Sequence, residues 1–116
     1  MGDETPPLTV PLGLLELDAD GTVLYYKPEQ AEGRRAPGGA DIVGKNLFAE
    51  VMRAANLRDL RDRLGDFCRG HDPARSFEFT FNSERASLPA RVLLARTREH
   101  YAGVDRESFF VQITKA

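Results

Sequence analysis

The 116 residues predict one α+β domain, a five-stranded antiparallel sheet with short helices packed on one of its faces. Three observations carry this. Two aliphatic-aromatic runs flank the tetrapeptide Asp18-Ala19-Asp20-Gly21, an apolar stripe at helical spacing runs from Leu57 to Cys68, and the last third of the chain alternates with period two. With 41% hydrophobic residues there is material for one modest core. A globule of this length buries about two-thirds of its unfolded surface and needs no disulfide or metal to hold it.

Residues 1–10 carry Pro6-Pro7 and read as a polar tail, so the domain is placed at 11–116. Its first element is a hairpin of Leu12–Leu17 and Thr22–Lys27, with Gly21 supplying the positive φ of the turn. Alternation along it turns Leu15, Leu17, Leu24 and Tyr26 toward the helices, and Leu14, Val23 and Tyr25 outward. From Pro28 to Gly44 there is no apolar periodicity beyond Ile42 and Val43, only Pro37, Gly33, Gly38, Gly39 and the pair Arg34-Arg35. A structureless stretch of about 17 residues is uncommon in a compact domain unless it is functional or mobile.

Asn46 offers an N-cap for a short helix with Leu47, Phe48, Val51 and Met52 on one face. A second helix follows, with Leu57, Leu60, Leu64, Phe67 and Cys68 on its apolar side. Its polar side offers Arg58/Asp62 and Asp59/Arg63 as i,i+4 pairs, worth about 0.2–0.5 kcal/mol each. Gly70 is placed to end it. Three strands complete the chain, with Phe77, Phe79 and Phe81, then Ala90, Val92 and Leu94, then Phe109, Val111 and Ile113 turned to one side. The TREHYAG segment between the last two strands reads as a loop.

Charge and cysteine content exclude several function classes. Sixteen basic against 18 acidic residues give a net charge of −2, which is no nucleic-acid footprint and no polybasic membrane segment. No run approaches the ~18 apolar residues of a membrane span. The N-terminus lacks a signal-peptide core, and Pro6 breaks a myristoylation pattern, so a cytoplasmic domain is expected. One cysteine allows no intramolecular disulfide and no cysteine cluster. Its apolar helical position makes Cys68 a buried hydrophobe rather than a reactive thiol. No paired histidines or carboxylate cluster suggests a metal. Ser76, Ser83 and Ser87 sit in no nucleophile elbow, and the glycines form no P-loop, so no enzyme is expected.

The element order, with PLGLLELDADGTVLYY (11–26), VGKNLF (43–48), FEFTF (77–81) and the C-terminal SFFVQITKA, resembles the PAS domain family and its photoactive yellow protein-like branch. In that branch a cysteine carries a coumaroyl thioester, and a tyrosine and a protonated carboxylic acid hydrogen-bond its phenolate. The resemblance puts the tyrosine at Tyr26, the acid at Gln30 with Glu29 just before it, and the cysteine at Ala54. A thioester cannot form on alanine, and an amide exchanges no proton. No covalently bound cofactor is therefore expected. The expectation is a non-covalent small ligand near Tyr26, Glu29, Gln30, Arg35, Phe48 and Ala54. Arg34-Arg35 either clamps a carboxylate or phosphate or is a solvated loop. Haem held by His71 or His100, or another light-absorbing cofactor, is a minor alternative.

The outward residues Leu14, Val23, Tyr25, Leu93 and Phe110 predict an apolar outer sheet face. In the photoactive yellow protein branch an N-terminal cap covers that face, and about eleven residues before the hairpin are too few for one. A second copy or a signalling partner is expected there instead, with truncation of a longer protein as the competing explanation. The function that follows is a non-catalytic sensory module, binding a small ligand between sheet and helices, a protein partner on the outer face, or both. Without an attached kinase, cyclase or DNA-binding region, its signal is expected to pass in trans. The alternative is a homodimerisation module whose core is filled by Phe48, Phe77, Phe79 and Phe81.

Overall fold

The computed structural model describes residues 8–29, 42–84, 86–101 and 103–116. It contains β1 (Gly13–Leu17), β2 (Val23–Pro28), a π-helical turn (Leu47–Val51), α1 (Leu57–Arg69), β3 (Ala74–Asn82), β4 (Ser87–Tyr101) and β5 (Val104–Lys115). The strands form one antiparallel sheet in the order β2-β1-β5-β4-β3. The helical segments lie between the second and third strands in sequence, as expected.

The hairpin turn is held by Asp18, whose Oδ1 accepts from the Asp20 and Thr22 amides at 2.9 Å each, while Gly21 takes φ +89°. Asn46 caps the π-helical turn as its position predicts, accepting from the Phe48 and Ala49 amides at 3.0 Å. Its Nδ2 donates to the Asp20 carbonyl, which ties the two turns together. Inward side chains of the three central strands (Leu15, Leu17, Val92, Leu94, Val111, Ile113) are each at most 2% exposed. Leu47, Val51 and Met52 of the π-helical segment and Leu60, Leu64 and Phe67 of α1 close over them. Leu8 and Val10 also pack against this core, and Thr9 exchanges backbone hydrogen bonds with Arg53 at 3.0 Å.

Three local expectations are corrected. A register shift between Glu16 and Leu17 pairs Leu17 with Val23 and Glu16 with Tyr25. A bulge of this kind adds one residue to a strand and flips the alternation beyond it. Val23 is therefore buried in the core at 0% exposure and is not an outer-face residue, whereas Leu24 is 43% exposed and is not turned to the helices. Second, the ion pair on α1 is Asp66–Arg69 at 2.7 Å, and Arg63 lies over the Phe77 ring at 4.9 Å instead of meeting Asp59. Third, most of TREHYAG is strand: β4 runs to Tyr101 and pairs with β5 down to Val104. Gly70 ends α1 as expected, at an extended φ of −85° with its amide donating to the Asp66 and Phe67 carbonyls.

Candidate functional site

A cleft of about 390 Å³ opens between α1 and the inner face of the sheet. Its floor is Leu17 of β1, Leu94 of β4, and Phe109 and Val111 of β5. One wall is α1, through Leu64, Gly65, Phe67 and Cys68; the opposite lip is the Asp18–Gly21 turn with Phe48. Arg61, Asp62 and Arg69 stand at the rim. Two elements brace the lip, because the Leu47 amide donates to the Gly21 carbonyl at 2.9 Å beside the Asn46–Asp20 bond. A glycine in the helix wall leaves the cleft wider there: a Cβ at Gly65 would meet only the flexible Arg69 guanidinium, at 3.3 Å. The volume lies in the range of small-ligand sites, and an apolar floor with polar groups at the mouth is their usual composition.

Cys68 adds no nucleophile to this space. Burial pushes its thiol above the ordinary range and Glu107 adds to that, against the lowering by Arg96 and Arg69. The group stays a neutral thiol at neutral pH.

Of the ligand-site residues suggested by the resemblance, the four described ones, Tyr26, Glu29, Phe48 and Ala54, line no common cavity. Phe48 lines the cleft. Ala54 lines a second one of about 340 Å³, with Met52, Arg53, Leu57 and Ser83. Tyr26 lines neither; its hydroxyl donates to the Leu12 carbonyl at 2.8 Å, which also accepts from the Glu29 amide at 3.0 Å. Burial and then the Glu29 carboxylate raise the Tyr26 phenol above its ordinary value, so it is a neutral donor already spent on backbone. The Glu29 side chain is exposed. Gln30, Arg34 and Arg35 lie outside the described residues, as do Gly33, Gly38 and Gly39. His71 is exposed, and His100 sits in strand opposite Asp105. Among the described residues no three His, Cys, Asp or Glu side chains gather as a metal site.

On the outer face, Leu14 and Phe110 are half-buried, and Tyr25 and Leu93 are exposed. The register sets Leu14 beside Gln112 and Gln112 beside Leu93, with Glu16 between Tyr25 and Phe110. The apolar quartet is therefore interleaved with polar groups rather than continuous.

Two polar residues went unanticipated. Ser108 is 5% exposed; its hydroxyl donates to Glu16 Oε2 at 2.7 Å and lies 2.6 Å from Thr97 Oγ1. Arg96 lies on the inner side at the end of α1, bonded to three carbonyls and to Glu107. The period-two pattern of β4 held the sign for Arg96, since position 96 continues the inward series 90, 92, 94.

No protein-family model matches the chain, and no curated protein matches it. Among solved structures it is similar to the crystal structure of the photoactive yellow protein domain from the sensor histidine kinase Ppr of Rhodospirillum centenum. The two are 25% identical with a TM-score of 0.55, over 89% of this chain and 92% of that one. Among the described residues no helix is long and apolar enough to cross a membrane.

Proposed function

We propose that this chain, whose fold is of the PAS, photoactive yellow protein-like type, is a sensory signalling module that works by binding a small molecule between sheet and helix. The fold suggests a sensory role and is typically non-catalytic; the ligand reading rests on the cleft of about 390 Å³ beside α1. Binding there is non-covalent. Its apolar floor accepts a hydrophobic or aromatic body, and the rim charges of Arg61 and Asp62 orient a polar end. Occupancy changes the output only to the extent that two conformations bind the molecule differently, and α1, as one wall, is the element placed to differ.

Native mass spectrometry of the purified chain tests this. A stoichiometric added mass is expected on the native chain and is expected to be lost from Gly65→Leu, which fills the cleft from the helix side. An apo native chain, or an added mass that survives Gly65→Leu, overturns the assignment of this cleft. A second reading, docking of a partner or a second copy on the outer face, is favoured by the exposure of Tyr25 at 47% and Leu93 at 40% on the face that also carries Leu14 and Phe110. Sedimentation of Leu93→Glu/Phe110→Glu decides it: a folded monomer from a dimeric native chain supports it, and an unchanged state sinks it.

A further inference from the structure

The end of α1 that walls the cleft is held by one side chain, and that side chain belongs to the sheet. Arg96 of β4 is 14% exposed. Its Nη2 donates to the Phe67 and Gly70 carbonyls at 2.5 and 2.9 Å, and its Nη1 to the Cys68 carbonyl at 3.4 Å and to Glu107 Oε1 at 3.1 Å. Positive charge at a helix C-terminus is favourable, because the last carbonyls there have no partner within the helix. The guanidinium carbon lies 5.1 Å from the Phe67 ring and 5.4 Å from the Phe109 ring. Those rings meet edge to face at 6.3 Å, and both line the cleft.

Glu107 lies beyond the sheet. β1 pairs with β5 only over Phe109–Ile113, and β3 pairs with β4 only over Ser87–Ala95. The remainder of the β4–β5 pairing, Thr97–Tyr101 against Val104–Ser108, is a two-stranded ribbon with no third strand among the described residues. Such a ribbon is marginal in water unless something anchors its base. On the inner side the anchor is Glu107, which takes Arg96 on one oxygen and Arg98 on the other, at 3.1 and 3.3 Å.

We infer that Arg96 is a positioning residue that couples the cleft to this ribbon, so that a molecule entering between α1 and the sheet changes how firmly the ribbon is docked. The inference rests on the ligand reading of the cleft and adds its output. A body seated against Phe67 and Phe109 displaces the two rings that flank the guanidinium. The guanidinium cannot follow the helix end and keep Glu107 at once, because its Nη hydrogens are already divided between the two. Its Nε–H finds no partner among the described residues, so the hold on the helix end and on Glu107 rests on the two Nη groups alone. Helix-end movement and ribbon release are then one event, the kind of two-state element through which distant sites bias each other.

The coupling is measurable without knowing the ligand. Cys68 is the chain's one cysteine and lines the cleft, so benzyl methanethiosulfonate at alkaline pH delivers a benzyl group into it. The same group on Asp62→Cys in a Cys68→Ser background enters from another rim position. The readouts are NMR shifts of the Leu17, Leu94 and Val111 methyls, which report occupancy, and amide exchange of residues 97–108, which reports the ribbon. With either label the ribbon is expected to exchange about fivefold faster or more, and in Arg96→Gln the same label is expected to change exchange by less than about twofold. Glu107→Gln, which leaves the three carbonyl bonds in place, is expected to shrink the response while the domain stays folded. If the methyls shift and the ribbon does not respond, or if the response persists in both variants, the coupling is overturned and the cleft reading stands. If the methyls do not shift either, both fall together.

Discussion

From Ala90 to Ala95, β4 is flanked by β3 on one side and, through β5, by β1 on the other, and its inward Ala90, Val92 and Leu94 are at most 1% exposed. The Arg96 amide makes a last bond on the β3 side, to the Pro73 carbonyl at 3.0 Å, and from Thr97 to Tyr101 the same strand pairs with β5 alone among the described residues. The first half is held by apolar burial, which needs little more than the right alternation. The second pairs with no further strand among the described residues, and its base is held by polar clusters, one on each face: Arg96–Glu107–Arg98 inside, resting against Phe67 and Phe109, and Glu16–Ser108–Thr97 outside. Apolar contacts tolerate small displacements, whereas a hydrogen bond to a buried group is made or lost over a few tenths of an ångström. The ribbon is thus the part of the sheet best able to respond to a change at α1.

The largest effect expected is in the first half. Ile113→Ala removes a fully buried side chain opposite Val92, and should cost about 2–5 kcal/mol of global stability, read by urea denaturation. It should leave the difference in amide exchange between the sheet-bound half and the ribbon intact, because both are lowered by global unfolding alike. A loss confined to the ribbon would break the distinction between the two halves.

How much of this could be read from the residues differs in the same way. The inward series of β4 and β5 follows from period two alone, because a half-buried strand repeats its burial every second residue. Arg96 occupies the next inward position, yet in a charged segment it reads as solvated; only the helix end above it, with its unpaired carbonyls, gives a charge reason to be inside. Ser108 finds Glu16 across 92 residues of chain, and no local pattern signals a pair that the β1–β5 register creates. The bulge opposite Leu17 was hidden likewise, since Thr22 to Lys27 alternates acceptably in either register. In the site, Phe48 could be placed because Asn46 caps its turn. Ala54 could not, because the segment around it is pinned from two sides, Arg53 to Thr9 and the Ala55 amide to the Asn82 carbonyl at 2.6 Å, and so opens onto Ser83 instead of the cleft.

A middle-sized effect sharpens the comparison. Ser108→Ala deletes the hydroxyl between Glu16 and Thr97, taking a donor from Glu16 Oε2 and leaving Thr97 Oγ1 with the Ser108 carbonyl at 3.3 Å, in a region that is only 5% exposed at Ser108. A cost of about 1–2 kcal/mol is expected, with the amides of residues 97–108 exchanging faster and those of 90–95 nearly unchanged. Exchange that quickens equally in both halves would show the outer cluster to be part of the sheet proper rather than an anchor of the ribbon.

The smallest effect lies in alkali, and it separates the two ends of the sheet by pH. Burial raises both the Cys68 thiol, at the ribbon's base, and the Tyr26 phenol, at the far end of β1, so the folded state favours the neutral form of each. The contribution of such a group is complete below its unfolded value and is lost as pH rises toward the folded one. Unfolded thiols titrate at about 8.5 and phenols at about 10, so stability should begin to fall above pH ~8.5 through Cys68 and fall further above pH ~10 through Tyr26. Urea titrations between pH 7 and 11 check this. Cys68→Ala should remove the first part of the decline and Tyr26→Phe the second, and a decline unchanged in the double variant would assign it to other groups. Because the Cys68 carbonyl is one of the acceptors that Arg96 holds, the first part should also appear as faster exchange in the ribbon before any elsewhere. Thiolate formation beside the clamp would then loosen the same element that ligand entry is inferred to loosen.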